Sequence, residues 1–214
     1  MQCQQCGKQT KRSSLCRDCK RAKEWQEQRP DILRELYPRR IIRELERIDI
    51  KINQSHLDLL KAGEEGLFLF GPTGVGKTLY ACELMSQLVF PSVSKLRTRG
   101  FLFTTVERML EDIKNSFSRQ RGEGNPEETV DKYKNADYLL LDDFGPENLT
   151  DWVYSSLHGI INHRYDELLP TIITSNLDLN QVADRLGDDR ITERIYEMCK
   201  LIYFDGNSQR EGVE

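Results

Sequence analysis

No apolar run in this chain approaches the roughly 18 residues a helix needs to cross a bilayer. Its first residues, Met1-Gln2-Cys3-Gln4-Gln5, are polar where a signal peptide would carry an apolar core. A membrane-spanning or secreted protein is therefore not expected, and a cytosolic one is. No internal repeat is visible. A large excess of charge is also missing, since 31 Lys/Arg face 35 Asp/Glu for a net charge of −4. The balance is uneven along the chain. Residues 1–50 carry 13 Lys/Arg against 8 Asp/Glu, or +5, which leaves −9 for residues 51–214. The 214 residues leave room for one α/β domain and a small appendage.

What is present is led by Gly71-Pro72-Thr73-Gly74-Val75-Gly76-Lys77-Thr78, which follows the apolar run Leu67-Phe68-Leu69-Phe70 and precedes a helical pattern from Leu79 to Val89. This is a complete G-x-x-x-x-G-K-[ST] phosphate loop in its strand–loop–helix setting. Its glycines let the backbone curl, so that successive N–H groups and the helix N-terminus point at the β-phosphate of a nucleotide. Lys77 would then reach the β- and γ-phosphates, and Thr78 would place its hydroxyl on Mg²⁺. A matching acidic end comes at Tyr138-Leu139-Leu140-Leu141-Asp142-Asp143, whose apolar run suits a parallel strand buried on both faces. Asp142 is the candidate for Mg²⁺ and Asp143, one residue on, for the base that orients the attacking water. An Asp at the second position reaches one methylene less far than a Glu, which suits slow hydrolysis used as a switch.

Four of the six cysteines form two knuckles, Cys3-x-x-Cys6 and Cys16-x-x-Cys19. Four thiolates at this spacing can wrap a tetrahedral Zn²⁺, and the short polar loop between them, Gly7 to Leu15, has no core of its own. Bound zinc would supply its folding energy, and the four thiolates that hold it would lower the local positive charge. Two disulfides or a redox pair are the alternatives, and a reducing compartment argues against them. Cys82 and Cys199 are expected to be buried small apolar residues.

The residues between the cysteines and the phosphate loop, 20–50, are rich in Arg, Lys and Glu, with Pro30 and Pro38 as punctuation. One helix over about 21–29 is expected, then short pieces broken at each proline, the whole serving as a solvated spacer rather than a partner face. From residue 51 helix alternates with strand, which predicts a doubly wound parallel sheet. Leu57, Leu59 and Leu60 belong to a helix, and strands are expected at 67–70, 101–105, 138–143 and 171–174. A helix over 106–117 should bury Val106, Met109, Leu110, Ile113 and Phe117, and another should run from about 151 to 167. The stretch 122–128 is expected to be an exposed loop.

Strand four ends in Thr174-Ser175-Asn176, where an amide can bond the γ-phosphate or the lytic water and sense whether ATP is intact. Asn176 is the candidate; the alternative is a residue that only begins a turn. Further on, Arg190 and Arg194 lie four apart on one helix face, and an arginine supplied in trans can stabilise charge on the γ-phosphate. The alternative is a surface ion-pair face.

Leu139-Leu140-Leu141-Asp142-Asp143-Phe144-Gly145, Ile160-Ile161-Asn162-His163-Arg164-Tyr165, Leu169-Pro170-Thr171-Ile172-Ile173-Thr174-Ser175-Asn176-Leu177 and Arg190-Ile191-x-x-Arg194-Ile195-x-x-Met198-Cys199 occur in that order. Together they resemble the AAA+ family of bacterial and phage replicative helicase loaders (DnaC/DnaI-like), whose close cousin is the IstB transposition ATPase. The resemblance covers roughly residues 36–210. It implies a P-loop ATPase core that assembles into a hexamer or spiral with ATP between subunits. By position Arg194 resembles the arginine finger and Arg190 the neighbouring box VII arginine. The chain ends soon after Phe204-Asp205-Gly206, so no helical lid is expected. In loaders the loop after the acidic strand helps hold single-stranded DNA, and the matching positions are Thr150 and Trp152. Trp152 could stack on a base and Thr150 bond a phosphate. As alternatives, Thr150 is an ordinary helix N-cap and Trp152 packs against that helix. Phe117 and Arg119 are further, weaker DNA candidates. The acidic ATPase part implies that DNA binding is modest and depends on ATP-driven assembly.

The expected organisation is a zinc-binding element at 1–22, a helical linker at 23–50 and an AAA+ ATPase domain at 51–214. Some loaders use a zinc-bound N-terminal domain to grip the helicase hexamer, whereas transposition ATPases usually lack such cysteines, so a loader of the replicative helicase is the favoured reading. The alternatives are an IstB-like transposition ATPase, an ATP-gated zinc adaptor that does not catalyse, and a small-molecule kinase. The paired aspartates and the Arg-x-x-x-Arg pair speak against the kinase.

Overall fold

The computed structural model describes residues 2, 4–6, 8–9, 15, 17–63, 65–93, 100–118, 125–145 and 150–206. In chain order its elements are α1 (Arg17–Leu36), α2 (Arg39–Arg47), α3 (Gln54–Ala62), β1 (Gly66–Phe70), α4 (Lys77–Val93), β2 (Phe101–Thr105) and α5 (Val106–Ser118). There follow α6 (Pro126–Lys134), β3 (Tyr138–Asp142), α7 (Asp151–Asp166), β4 (Thr171–Ser175), α8 (Leu179–Leu186), α9 (Arg190–Met198) and β5 (Cys199–Tyr203). The strands form one five-stranded sheet in the order β2-β3-β4-β1-β5, every pairing parallel. The doubly wound α/β class expected from the alternation is therefore observed.

Each strand has to be apolar on both sides because helices cover both faces of a parallel sheet. Phe68, Leu139, Leu141 and Ile173 point into a core shared with α5 to α9. Their strand neighbours Leu67, Leu69, Leu140 and Ile172 point into a second core shared with α1 to α4. Cys82 and Cys199 are buried, as expected. No helical element follows β5 among the described residues, and no described helix is long and apolar enough to cross a membrane.

Three expectations are corrected. The helix foreseen at about 21–29 runs on through Pro30 to Leu36. An interior proline costs about 3 kcal/mol, but the turns beyond it bury Ile32, Leu33 and then Tyr37, each contributing roughly 1.5–3 kcal/mol. Arg29 also reaches Glu83 of α4 at 2.9 Å and the Leu45 carbonyl at 3.0 Å, and the Tyr37 hydroxyl donates to the Cys82 carbonyl at 2.8 Å. Residues 29–45 are thus packed against the helix of the phosphate loop, and this part of the chain is not a solvated spacer. Second, the end of the loop foreseen at 122–128 belongs to α6, which Asn125 caps by accepting the Glu127 N–H, with Pro126 in the first turn; residues 122–124 lie outside the described residues. Third, Phe117 is 62% exposed. It keeps the apolar spacing of α5, but the buried stripe of that helix ends at Ile113, one turn earlier.

Candidate nucleotide-binding and catalytic site

Because β4 lies between β1 and β3, the C-terminal ends of these three strands open side by side. β1 leads into the phosphate loop, β3 ends in Asp142 with Asp143 next, and Asn176 follows β4. Gly74 and Gly76 adopt φ of 87° and 98°, the left-handed region that favours glycine. Gly71 has a second reason to be glycine. Phe204, just past β5, bonds its N–H to the Phe70 carbonyl at 2.7 Å, and a Cβ on Gly71 would collide with the Phe204 carbonyl.

The polar groups form one connected set. Lys77 Nζ donates to the carbonyls of Gly71 at 2.8 Å and Pro72 at 2.7 Å and to Asn176 Oδ1 at 3.0 Å. Asn176 Nδ2 donates to Asp143 Oδ1 at 3.0 Å. Thr78 Oγ1 donates to Asp142 Oδ1 at 2.7 Å, and Thr174 Oγ1 donates to the same oxygen at 2.5 Å. Burial pushes the Asp142 carboxyl up from its ordinary value, the two hydroxyl donors pull it back, the charge of Asp143 pushes it up and Lys77 lowers it. The hydroxyl of Thr78 and the carboxylate of Asp142 are the hard oxygen donors a Mg²⁺ ion takes, and they meet at the end of the loop where a phosphate would lie.

These residues line a cavity of about 860 Å³, within the size range of nucleotide and cofactor sites. One wall comes from α2, through Arg40, Ile41, Glu44 and Arg47, with Ile48 just past its end. Sequence reading missed this wall. Its signal was the three/four spacing of those positions, masked by their charge. Thr105, at the end of β2, also faces the cavity.

Arg190 and Arg194 are not among the cavity-lining residues of their own chain. Both lie along α7. Arg190 pairs with Asp188 at 2.6 Å and sits over the Tyr154 ring, and Arg194 lies 4.6 Å from the centre of the Tyr165 ring and contacts Asn162 and Glu197. The Asp188 carboxyl is held well below its usual range by Arg190. Thr150 caps α7, its Oγ1 accepting the Val153 N–H at 3.3 Å, and Trp152 in the first turn is 38% exposed. Both Trp152 and Phe117 are therefore open to solvent.

At the N-terminus Gln2 and Gln9 form an antiparallel bridge around a turn at residues 4–6. Cys6 is exposed and Cys19 buried, while Cys3, Cys16 and Arg119 lie outside the described residues. Among the described residues no three His, Cys, Asp or Glu side chains converge to hold a metal ion.

Comparison with known proteins agrees with this geometry. A model of the IstB-like ATP binding protein family matches residues 43–213. The replicative helicase loader DnaI of Bacillus subtilis (strain 168) is 28% identical over 170 residues, which is 72% of this chain and 51% of that protein. The replicative helicase loader DnaC of Escherichia coli (strain K12) is 25% identical over 154 residues, 71% of this chain and 59% of that protein. The chain thus spans about half the length of these curated relatives. The crystal structure of the DnaC helicase loader superposes with a TM-score of 0.60 at 28% identity, covering 78% of this chain and all of that one. The fold is accordingly that of the P-loop AAA+ loaders, and the chain belongs to the family of IstB-like ATP binding proteins.

Proposed function

We propose that this protein is an ATP-dependent loader of the replicative DNA helicase, a cytoplasmic ATPase that assembles with itself and with single-stranded DNA during replication initiation. The observation that carries the reading is the bonded set Lys77–Asn176–Asp143 beside Thr78–Asp142 in one cavity. Lys77 and the N–H groups of residues 71–78 bind the phosphates. Thr78 and Asp142 would hold Mg²⁺, which when bound offsets charge on the β- and γ-oxygens. Asp143 accepts a proton from the attacking water, and Asn176, bonded to both Lys77 and Asp143, orients that water and senses the γ-phosphate. The short reach of Asp143 favours slow turnover. Arg194, which does not line the cavity of its own chain, serves a neighbouring subunit as its arginine finger, with Arg190 beside it.

We assign residues 1–22 to a zinc-binding element held by Cys3, Cys6, Cys16 and Cys19, supported by the knuckle spacing and by the turn bridged at Gln2 and Gln9. This element would grip the helicase hexamer. Residues 23–50 then connect it to the ATPase domain at 51–214, and their docking on α4 carries the grip to the nucleotide site. Thr150, Trp152 and Phe117 are the residues available for single-stranded DNA; the exposure of both aromatics favours stacking.

The test is native mass spectrometry of the zinc-loaded protein with the replicative helicase of its own source, with and without ATP and single-stranded DNA, alongside phosphate release. A defined complex lost on Cys3→Ser/Cys6→Ser, with turnover lost in Lys77→Ala, supports the loader. Assembly on duplex DNA with no helicase complex moves the reading to a transposition ATPase, which the family match also accommodates. Unchanged loading by both Lys77→Ala and Asp143→Asn overturns the ATPase reading, whereas loading lost in Lys77→Ala but kept in Asp143→Asn moves it to an ATP-gated adaptor.

A further inference from the structure

Thr174 and Ser175, at the end of β4, and Asn176, just past it, each reach across to the end of β3 or the residues that follow it. Ser175 Oγ donates to the Phe144 carbonyl at 2.5 Å, and Asn176 Nδ2 to Asp143 Oδ1 at 3.0 Å. Thr174 does more than either. Only 2% exposed, it donates its hydroxyl to Asp142 Oδ1 and accepts the Asp143 N–H on the same oxygen at 3.1 Å. Its carbonyl accepts the Phe144 N–H at 2.7 Å. One residue therefore fixes a side chain and two successive backbone amides of the acidic segment.

The backbone it holds is strained. Asp143 has φ of +58°, in the left-handed region that a non-glycine residue enters at a cost of about 1–3 kcal/mol. Such a conformation persists only when the surroundings over-determine it, and the two amide bonds to Thr174 are that determination. In this turn the Asp143 carboxylate accepts from Asn176. On the other side, Thr174 and Thr78 both donate to Oδ1 of Asp142, while no hydrogen bond among the described residues engages Oδ2.

Resting on the ATPase reading, we propose that Thr174 is a positioning residue for Mg·ATP. It fixes the Asp142 carboxylate so that Oδ2 is presented to the magnesium shell, and it holds Asp143 in the turn that places its carboxylate beside Asn176. Its effect passes through the two aspartates, as groups that orient metal ligands commonly do, and the loss of such a group typically lowers metal affinity or activity by about 10–100-fold.

The variants are Thr174→Val, which keeps the shape and removes both the donor and the acceptor, and Thr174→Ser, which keeps the hydroxyl. Binding of a fluorescent ATP analogue is measured with EDTA and across a Mg²⁺ titration, with phosphate release and thermal unfolding in parallel. Thr174→Val is expected to bind the analogue in EDTA like wild type, to need about 10-fold more Mg²⁺ for the metal-dependent gain in affinity, and to turn over about 10–100-fold more slowly. Thr174→Ser should recover most of both. A Thr174→Val protein with wild-type Mg²⁺ dependence overturns the inference, as does a Thr174→Ser protein that fails equally. If Thr174→Val unfolds, the folded Thr174→Ser and a Thr174→Cys variant, with its weak donor, decide by whether Mg²⁺ dependence follows donor strength. A wild-type chain that binds no nucleotide overturns the ATPase reading itself, whereas one that binds without hydrolysing still tests Thr174 through the Mg²⁺ arm.

Discussion

Replacing Arg164 with methionine is expected to cost this protein about 3–5 kcal/mol without touching the nucleotide site. Arg164 lies on α7, is fully buried and makes five hydrogen bonds. Four go to carbonyls, of Tyr133 at 3.1 Å, Lys134 at 2.9 Å, Ala136 at 2.8 Å and Pro170 at 2.9 Å, and one to the Thr171 hydroxyl at 2.9 Å. Tyr133 and Lys134 are the last two residues of α6, whose carbonyls have no partner within the helix. The guanidinium thus caps α6, at the end where its dipole favours a cation, and ties the entries of β3 and β4 together. Burial lowers its pKa from the ordinary arginine value to about 10, so it stays charged at neutral pH. Methionine fills similar space but leaves the carbonyls bare. Each buried polar group left without a partner costs about 1–3 kcal/mol, and water admitted at the half-buried Lys134 carbonyl recovers part of the sum. Relief of the buried charge offsets more, which brings the net near the 3–5 kcal/mol seen when one partner of a buried charged contact is removed. Against the 5–15 kcal/mol of a typical domain this leaves a folded but weakened protein. Arg164→Lys, with three donors for five acceptor positions, should lose roughly half as much. Urea unfolding at neutral pH measures both, and the slope should not change. A loss below about 1 kcal/mol for Arg164→Met would refute the reasoning, because the carbonyls would then be satisfied without the guanidinium.

Three more perturbations probe other parts of the molecule. Glu83→Gln on α4 should cost about 3 kcal/mol, the low end for one partner of a buried pair, since Arg29 keeps partial access to water; urea unfolding checks it, and no loss would mean that α1 docks by apolar contact alone. His56 bonds Tyr80 at 2.8 Å and has its pKa lowered, first by burial and then by Lys200. The unfolded chain therefore takes up this proton at a higher pH than the folded one, so His56 lowers stability as pH falls below 6.5 toward its folded value. His56→Gln should flatten part of that slope in urea midpoints measured between about pH 7 and 5, and an unchanged slope contradicts the assignment. Finally, Arg194→Ala and Lys77→Ala proteins should each lack turnover, while their mixture regains a statistical fraction of it, because the intact loop of one subunit then meets the intact arginine of another; no recovery argues against a shared site.

Much of the site was legible because its chemistry is written at short range. The phosphate loop, the acidic pair Asp142-Asp143 and the end of strand four each need only a strand, a turn and the right side chain, so spacing reveals them. The burial of Cys82 and Cys199 followed in the same way. Pro30 was misleading because a local rule stops a helix there, and the burial of Leu33 and Tyr37 against α4 is a contact between residues about fifty positions apart. Arg164 looks in sequence like any helical surface arginine, and nothing near it announces that Tyr133 and Pro170 will surround it. Phe117 carries the apolar spacing of α5 and is nevertheless exposed, since periodicity tells which face is apolar but not where the underlying sheet ends.

By itself, then, the sequence determined the parallel strand–helix alternation and the phosphate-loop and acidic motifs that the fold brings together, because propensities and turn geometry act within a few residues. The tertiary structure alone decided the order β2-β3-β4-β1-β5 that seats Asn176 between Lys77 and Asp143, the wall that α2 contributes, and the hold of Thr174 on both aspartates. Those depend on which distant segments bury their apolar faces against each other, and the gain from that burial is collected only when the whole sheet and both its helical layers come together.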